Sequence, residues 1–277
     1  MQRRFTTLQH IESLTPDPPQ LSCCDLRTHA DFYSRLLDNQ RTVLVLLPPA
    51  YAANPTRRYP VLYLHDGQNL FDGATAYVYG QHWRVGETAH ALMATEAIQP
   101  LIIVGIYHTG VGRVDEYTPT RDARIGQGGR AELYGRMLVE ELKPYVDARY
   151  RTLGGAEHTG VGGSSLGGLV SLILGLRYPD VFGKLAALSP SVFWDGRLII
   201  SHVETLGAKL PLRIWLDTGT GEGWYTTEYA RMLRDALVGT GWALDAELSY
   251  YEADGATHDE NAWAARVAPM LKFLFPA

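Results

Sequence analysis

Short apolar runs alternate along most of the chain with longer stretches in which apolar residues recur every three or four positions. The short runs have the length of buried strands, and the longer stretches have the spacing of helices. Strands are predicted at residues 32–37, 42–47, 59–65, 101–107, 158–161, 184–188, 212–217 and 246–251. Helices are predicted at residues 85–96, 130–142, 166–178, 197–206, 224–238 and in the C-terminal segment that contains Trp263, Val267 and Met270. This alternation predicts an α/β fold with a mostly parallel central sheet and helices on both faces.

The start of the chain has a different pattern. Residues 32–37 and 42–47 are joined across Asp38-Asn39-Gln40, a turn-forming composition that predicts an antiparallel hairpin at the edge of the sheet. Before the hairpin, periodicity is weak and Thr15-Pro16-Asp17-Pro18-Pro19 interrupts the chain. We therefore predict an irregular lead-in at residues 1–28 and a single domain at residues 29–277.

Two segments within that domain have distinctive sequences. Residues 109–129 are polar and rich in glycine, and so long a connection in a compact domain is often functional. Pro144 follows the predicted helix at 130–142 and is expected to end it.

Composition and charge indicate which kinds of molecule the protein is expected to bind. The 277 residues are 46% hydrophobic and 20% charged, as expected for a globular protein, and the net charge is only −5. No basic run exceeds Arg57-Arg58, so a small-molecule ligand is favoured over nucleic acid or a membrane surface. No segment is apolar enough for a signal peptide or a membrane span. Adjacent cysteines, Cys23 and Cys24, are expected to be reduced thiols, which favours a cytoplasmic protein.

The motif Gly163-x-Ser165-x-Gly167 lies between a predicted strand and a long apolar segment predicted to be a helix. A serine at so sharp a strand-to-helix turn needs glycine two residues to either side, because side chains there would collide with the neighbouring strand or helix. Composition alone predicts roughly 0.1 chance matches to this motif, so its context has to support it. Ser165 is the candidate nucleophile.

A serine hydroxyl needs a general base near it, and reactive groups in open α/β sheets gather at the carboxyl ends of the strands. His258 lies in the loop after the last predicted strand, in the order serine, acid, histidine. His65 and His108 also follow strands, but they precede the serine. We therefore predict that His258 is the base.

Two carboxylates compete for the position of the acid that orients the histidine. Asp217 ends a predicted strand, and Glu222 follows in a loop whose glycines, at positions 219, 221 and 223, would let it turn inward. We favour Glu222 and keep Asp217 as the alternative.

The tetrahedral intermediate of acyl transfer needs hydrogen-bond donors for its oxyanion. One is expected to be the backbone N–H of Leu166, and the second the backbone N–H of Gly67 or Gln68, after the strand at 59–65. No metal or cofactor is predicted. Aromatic residues flank the same loops and are candidate walls of a substrate pocket: Trp194, Trp224, Tyr225 and Trp263.

Four motifs occur in order: residues 63–72 (YLHDGQNLFD), 115–119 (DEYTP), 162–168 (GGSSLGG) and His258-Asp259-Glu260 with Trp263. Together they resemble the putative esterase family of α/β hydrolases, which groups enterochelin-esterase-like enzymes, feruloyl and acetyl esterase domains and S-formylglutathione hydrolase. The resemblance runs from about residue 30 to the C-terminus. It implies an α/β-hydrolase fold and a serine esterase mechanism with Ser165, His258 and an acid in the loop at 219–222.

The predicted function is a serine esterase that forms an acyl-enzyme and cleaves small-molecule esters, for example siderophore, aryl or carbohydrate acyl esters. Two alternatives use the same fold. One is acyl transfer or thioester hydrolysis on the same three residues, and the other is a binding protein without turnover. The sequence does not determine the oligomeric state.

Overall fold

The computed structural model describes residues 25–277. Cys23, Cys24 and most of the predicted lead-in lie outside the described residues. The first strand already begins at Asp25, so residues 25–28 belong to the sheet and not to an irregular segment.

Strands and helices alternate along the described chain. The strands are β1 (Asp25–Ser34), β2 (Asn39–Leu47), β3 (Val61–His65), β4 (Ile102–Ile106), β5 (Arg121–Asp122), β6 (Gln127–Gly128), β7 (Thr159–Ser164), β8 (Lys184–Leu188), β9 (Arg213–Gly219) and β10 (Leu248–Ala253). The α-helices are α1 (Val85–Ala94), α2 (Arg113–Tyr117), α3 (Ala131–Arg136), α4 (Lys143–Arg149), α5 (Leu166–Arg177), α6 (Trp194–Glu204), α7 (Trp224–Thr240) and α8 (Glu260–Leu274).

Eight strands form one sheet in the order β1-β2-β4-β3-β7-β8-β9-β10. The pairs β1/β2 and β2/β4 are antiparallel, and the remaining pairs are parallel. The predicted fold class and its N-terminal hairpin are thereby confirmed. The hairpin's first strand runs earlier than predicted, because residues 35–38 form the turn and Asp38 takes a left-handed conformation with φ of 51°.

The inner strands of the sheet are buried on both faces. In β2, Val43 and Val45 pack into one hydrophobic core, and Leu44 and Leu46 pack into the core on the opposite face. Successive side chains of a strand point to opposite faces, so a strand covered on both sides is apolar at every position. This explains the continuous apolar runs in the sequence.

Two local predictions differ from the structure. Pro144 does not end the helix that precedes it. A π-helical segment, Met137–Leu142, joins α3 to α4, and Pro144 lies in the first turn of α4. The helix is continuous through these three segments, and Pro144 comes just after the π-helical segment, where the helical hydrogen-bond pattern changes. The segment at 109–129 is not one irregular loop, because it contains α2 and the short hairpin of β5 and β6.

The sheet order brings four exit loops together. β7, β8, β9 and β10 are successive neighbours and run parallel, so the loops that follow them meet at one edge. These loops carry Ser165, Ser189, Glu222 and His258. Within residues 25–277, no helix is long and apolar enough to cross a membrane.

Candidate active site

Ser165 occupies a strained turn between β7 and α5. Its φ of 57° and ψ of −123° are rare for a residue with a side chain. The flanking glycines leave little room for a side chain. A Cβ on Gly163 would lie 3.1 Å from Cβ of His65, and one on Gly167 would lie 3.3 Å from Oδ2 of Asp66. The turn therefore has the geometry of a nucleophile elbow.

The Ser165 side chain opens into a cavity of about 450 Å³. Leu166, Ser191, Glu222 and His258 also line this cavity. Oγ of Ser165 lies 3.3 Å from Oγ of Ser191, and the backbone N–H of Ser191 donates to the carbonyl oxygen of Ser165 at 3.0 Å. Among the described residues, the Ser165 hydroxyl thus hydrogen-bonds to Ser191 and not to His258, although both side chains face the same cavity.

His258 is paired with Glu222. Nδ1 of His258 lies 2.8 Å from Oε2 of Glu222, and the imidazole packs edge-on against the ring of Trp263 with 4.9 Å between ring centroids. The Glu222 side chain is completely buried, whereas that of His258 is 41% exposed. Two contacts therefore set the orientation of the ring while it stays accessible from the cavity.

The other oxygen of Glu222 is held by donors from its own loop and from β8. Oε1 accepts hydrogen bonds from the backbone N–H of Gly219 at 2.8 Å and from the hydroxyl of Ser189. Burial alone raises the pKa of Glu222, but the hydrogen bonds from His258 and Ser189 outweigh it and bring the pKa below its usual value. Glu222 is therefore a carboxylate at neutral pH.

Gly219 and Gly221 allow this loop to approach the loop after β10. A Cβ on Gly219 would collide with the carbonyl oxygen of Ala256, and one on Gly221 would lie 2.8 Å from that of Gly255. The glycines were expected to let Glu222 turn inward, and the contact that requires them is with the segment before His258.

Asp217, the alternative acid, is bound elsewhere. Its Oδ1 lies 2.7 Å from Nη1 of Arg266, and its Oδ2 accepts a hydrogen bond from Nε1 of Trp215 at 2.7 Å. Asp217 is fully buried, which raises its pKa to about 6 despite the opposing effect of Arg266. The structure therefore brings Glu222, and not Asp217, to His258.

Arg266, Ser189 and Ser191 were not identified as site residues from the sequence. Arg266 could have been recognised in the sequence, because it lies on the apolar face of α8, next to Trp263 and Val267. A charged residue on such a face is rarely buried unless it is paired. For Ser189 and Ser191, the sequence around Pro190 indicated only a turn.

The loop after β3 lies against the serine turn and is held from two sides. Asp66 has φ of 56°, and its carboxylate accepts hydrogen bonds from Nε and Nη2 of Arg113 at 2.7 and 2.8 Å. A Cβ on Gly67 would lie 2.6 Å from the carbonyl carbon of Gly105, so this loop packs directly on β4. Leu166 lines the cavity, whereas Gly67 and Gln68 are buried and are not among its lining residues.

His65 precedes this loop and is completely buried. Its Nδ1 lies 2.9 Å from the hydroxyl of Tyr134, and burial lowers its pKa to about 3. His65 is therefore a neutral ring beneath the serine turn.

The predicted aromatic residues separate into two groups. Trp194 and Tyr225 line the cavity, where Phe193 and Tyr229 join them. Trp224 and Trp263 do not line it: Trp224 is 79% exposed, and Trp263 is buried against the ring of His258. Neighbouring residues at the start of a helix point about 100° apart, so Tyr225 faces the cavity while Trp224 faces solvent. Within residues 25–277, no group of three or more His, Cys, Asp or Glu residues could hold a metal ion.

The parallel sheet with its antiparallel first strands, and the serine turn after β7, define an α/β hydrolase. Residues 34–274 match the family model described as "Putative esterase". The chain therefore belongs to the putative esterase family and is a carboxylic ester hydrolase.

Known proteins are similar along most of the chain. YjcH of Bacillus subtilis, an uncharacterized protein, is 31% identical over 87% of this chain and 94% of its own length. The ferri-bacillibactin esterase BesA of the same organism is 29% identical over 79% of this chain and 80% of its own. An endo-1,4-beta-xylanase/feruloyl esterase of Xylanibacter ruminicola is 28% identical over 88% of this chain, which corresponds to 30% of that longer protein.

Solved structures share the fold. The crystal structure of the BES protein from Bacillus cereus covers all of both chains with a TM-score of 0.75 at 21% sequence identity.

Proposed function

We propose that the protein is a serine esterase in which Ser165 forms an acyl-enzyme, His258 acts as general base and acid, and Glu222 orients the imidazole. The observation that carries the proposal is the 2.8 Å contact between His258 and Glu222 in a cavity that Ser165 shares. A buried carboxylate on Nδ1 keeps the proton on that nitrogen, which leaves Nε2 free to accept one.

The reaction follows from these positions. Oγ of Ser165 leaves its contact with Ser191, transfers its proton to Nε2 of His258 and attacks the ester carbon. The negative charge on the former carbonyl oxygen is stabilised by the N–H of Leu166 and by an N–H from the loop of Gly67 and Gln68. The intermediate then expels the alcohol, which takes the proton from His258. Water repeats the sequence on the acyl-enzyme, releases the acid and restores Ser165.

The substrates that fit this cavity best are small-molecule esters with an aromatic acyl group. Four aromatic residues line the cavity beside Ser165: Phe193, Trp194, Tyr225 and Tyr229. Aromatic rings favour offset or edge-on contacts with one another, which gives an aryl acyl group an advantage over a short aliphatic one. A feruloyl esterase and a siderophore esterase among the relatives support the same class of bulky substrates.

A fluorophosphonate probe tests the nucleophile. We expect the wild-type protein to gain one covalent adduct that peptide mapping places on Ser165, and Ser165→Ala to gain none. Ser191→Ala is the matched control, because it removes the neighbouring hydroxyl and keeps the proposed nucleophile. Absence of an adduct on the wild type, or equal labelling of Ser165→Ala, would overturn the proposal.

A substrate panel tests the acyl group. We compare methyl esters of acetic, butyric, cinnamic and ferulic acids, together with acyl thioesters, in the presence and absence of an acceptor alcohol. The expected result is a kcat/KM for the aryl esters about tenfold or more above that for acetate. Equal values for all four acids would exclude recognition of the acyl group by the aromatic residues.

A further inference from the structure

Arg266 lies between two buried carboxylates. It projects from α8, and only 1% of the residue is exposed. Its Nη1 lies 2.7 Å from Oδ1 of Asp217, and its Nη2 lies 3.6 Å from Oε1 of Glu222. A buried guanidinium is costly unless it is paired, so the position of Arg266 depends on these two anions and theirs depend on it.

Ser189 connects Arg266 to Glu222 by hydrogen bonds. Its hydroxyl oxygen lies 3.1 Å from Nη1 of Arg266 and 3.2 Å from Nε1 of Trp263. Arginine and tryptophan are donors only, so the hydroxyl accepts from both and gives its single proton to Glu222. These hydrogen bonds run in one direction, so Oε1 of Glu222 has to accept the hydrogen bond from Ser189. A proton on Oε1 would break that hydrogen bond.

The backbone holds Ser189 in the position that this chain requires. Its φ of 42° is unusual for a residue with a side chain, and its N–H lies 3.1 Å from Oδ1 of Asp217. Asp217 therefore holds both Arg266 and Ser189. The connection from Asp217 to Arg266, Ser189, Glu222 and His258 is continuous, with atoms in contact at each step.

Arg266 offsets part of the negative charge in this cluster. Asp217 and Glu222 are both buried, and Arg266 is the cation that contacts them within the described residues. His258 adjoins Glu222, and the N-terminal acids of α8, Asp259 and Glu260, add further negative charge nearby. Loss of the guanidinium would leave the carboxylates to repel each other in a poorly screened environment.

We propose that Arg266 is a positioning residue for the esterase reaction, which holds Glu222 as the acceptor that orients His258, with Asp217 as its counterion. The inference rests on the proposed function of Ser165, Glu222 and His258. Arg266 touches no reacting atom and acts through Ser189 and Glu222. It comes from the last helix, far from Ser165 in the sequence.

Removing a positive charge and removing a negative charge near His258 should shift the pH dependence of kcat/KM in opposite directions. Arg266→Met removes a positive charge near the imidazole, so the proton on His258 is held more tightly and the acid limb of the kcat/KM profile moves to higher pH. Asp217→Asn removes a negative charge where Asp217 is ionised, which is above its pKa of about 6, so the limb moves to lower pH. The double variant removes one charge of each sign and should titrate close to the wild type. If Arg266 and Asp217 only supported packing, their substitution would lower the stability of the fold, but it would not shift the pH profile in opposite directions.

The experiment measures two quantities for the wild type, the two single variants, the double variant and Arg266→Lys. One is the pH at which the His258 ring resonance titrates in NMR spectra, and the other is kcat/KM for p-nitrophenyl acetate from pH 4.5 to 9. For Arg266→Met we expect both midpoints to rise by roughly one pH unit, and for Asp217→Asn to fall. Arg266→Lys keeps the charge and should stay near the wild type. His202, exposed on α6, is an internal reference in the spectra.

Midpoints for His258 that coincide in all five proteins would overturn the inference. If Arg266→Met does not fold, a rise or no change in Asp217→Asn would overturn it equally. The NMR titration needs no turnover, so it separates the two proposals. Opposite shifts of His258 without a covalent adduct on Ser165 would contradict the proposed nucleophile and still support the coupling of Arg266 to His258.

Discussion

Nδ1 of His258 lies 2.8 Å from Oε2 of a glutamate, Glu222, whose side chain is completely buried. The pair joins an accessible imidazole to an anion that solvent cannot reach. Burial makes the contact directional, because Glu222 has protein donors on both oxygens and no alternative partner in water.

Replacement of Glu222 by glutamine should lower kcat for ester hydrolysis by a factor of about 10² to 10⁴. The amide keeps the shape of the side chain, but it removes the charge that stabilises the imidazolium. The measurement is steady-state hydrolysis of p-nitrophenyl acetate. Glu228→Gln, on the exposed face of α7, is the matched control and should retain wild-type rates. Full activity of Glu222→Gln would contradict the assignment of the acid.

Two adjacent aromatic residues should differ in their effect on substrate choice. Tyr225→Ala removes a ring from the cavity wall and should raise KM for methyl ferulate about three- to tenfold, with a smaller effect on methyl acetate. Trp224→Ala removes a ring that is 79% exposed and should change neither KM by more than about twofold. Equal effects of the two substitutions on methyl ferulate would show that the cavity wall does not contact the acyl group.

Gly67→Ala should displace the loop that follows β3. A Cβ there would lie 2.7 Å from the backbone nitrogen of Ile106, and neither backbone can move aside without disturbing the β3/β4 pair. We expect a loss of about 1–3 kcal/mol in the free energy of unfolding, measured in urea, together with slower ester hydrolysis. Gly207→Ala is the control, because no atom lies within 4 Å of its added Cβ. A variant at Gly67 as stable and active as the control would contradict the close packing of this loop.

His65 should make the folded protein less stable at acid pH. Burial lowers the pKa of His65 to about 3, so the folded state keeps this ring neutral. Above about pH 6.5 the ring is neutral in the folded and the unfolded state, and it contributes nothing to the pH dependence. Below that pH only the unfolded chain binds the proton, so stability falls by about 1.4 kcal/mol per pH unit on account of this residue until about pH 3.

Urea unfolding at pH 7.0, 5.5 and 4.5 measures this effect. His65→Gln should be less stable than the wild type at pH 7.0, because it loses a buried ring, and the difference should shrink as the pH falls. His202→Gln, on the surface of α6, is the control for a histidine outside the core. A constant difference between His65→Gln and the wild type across the three pH values would contradict a neutral buried ring.

The sequence by itself determined the order along the chain of the eight strands of the main sheet and of the longer helices, and the position of the serine turn. Both features are set by residues that are close to one another in the sequence. A strand buried on both faces is apolar at every position, and the turn at Ser165 needs glycine at 163 and 167. The alternation of strands and helices also predicted the position of His258. The loop after the last strand begins at the carboxyl edge of the sheet, where the serine turn lies.

Only the tertiary structure decided which carboxylate contacts His258. Asp217 and Glu222 lie five positions apart in one exit segment, and the sequence left both open. The choice depends on Arg266, which α8 places 2.7 Å from Asp217 and which therefore occupies that carboxylate. Likewise, Trp224 and Tyr225 differ only in the direction that α7 gives them. Periodicity along a chain encodes which residues are buried, whereas the partner of a buried charge is set by segments that packing brings together from far apart in the sequence.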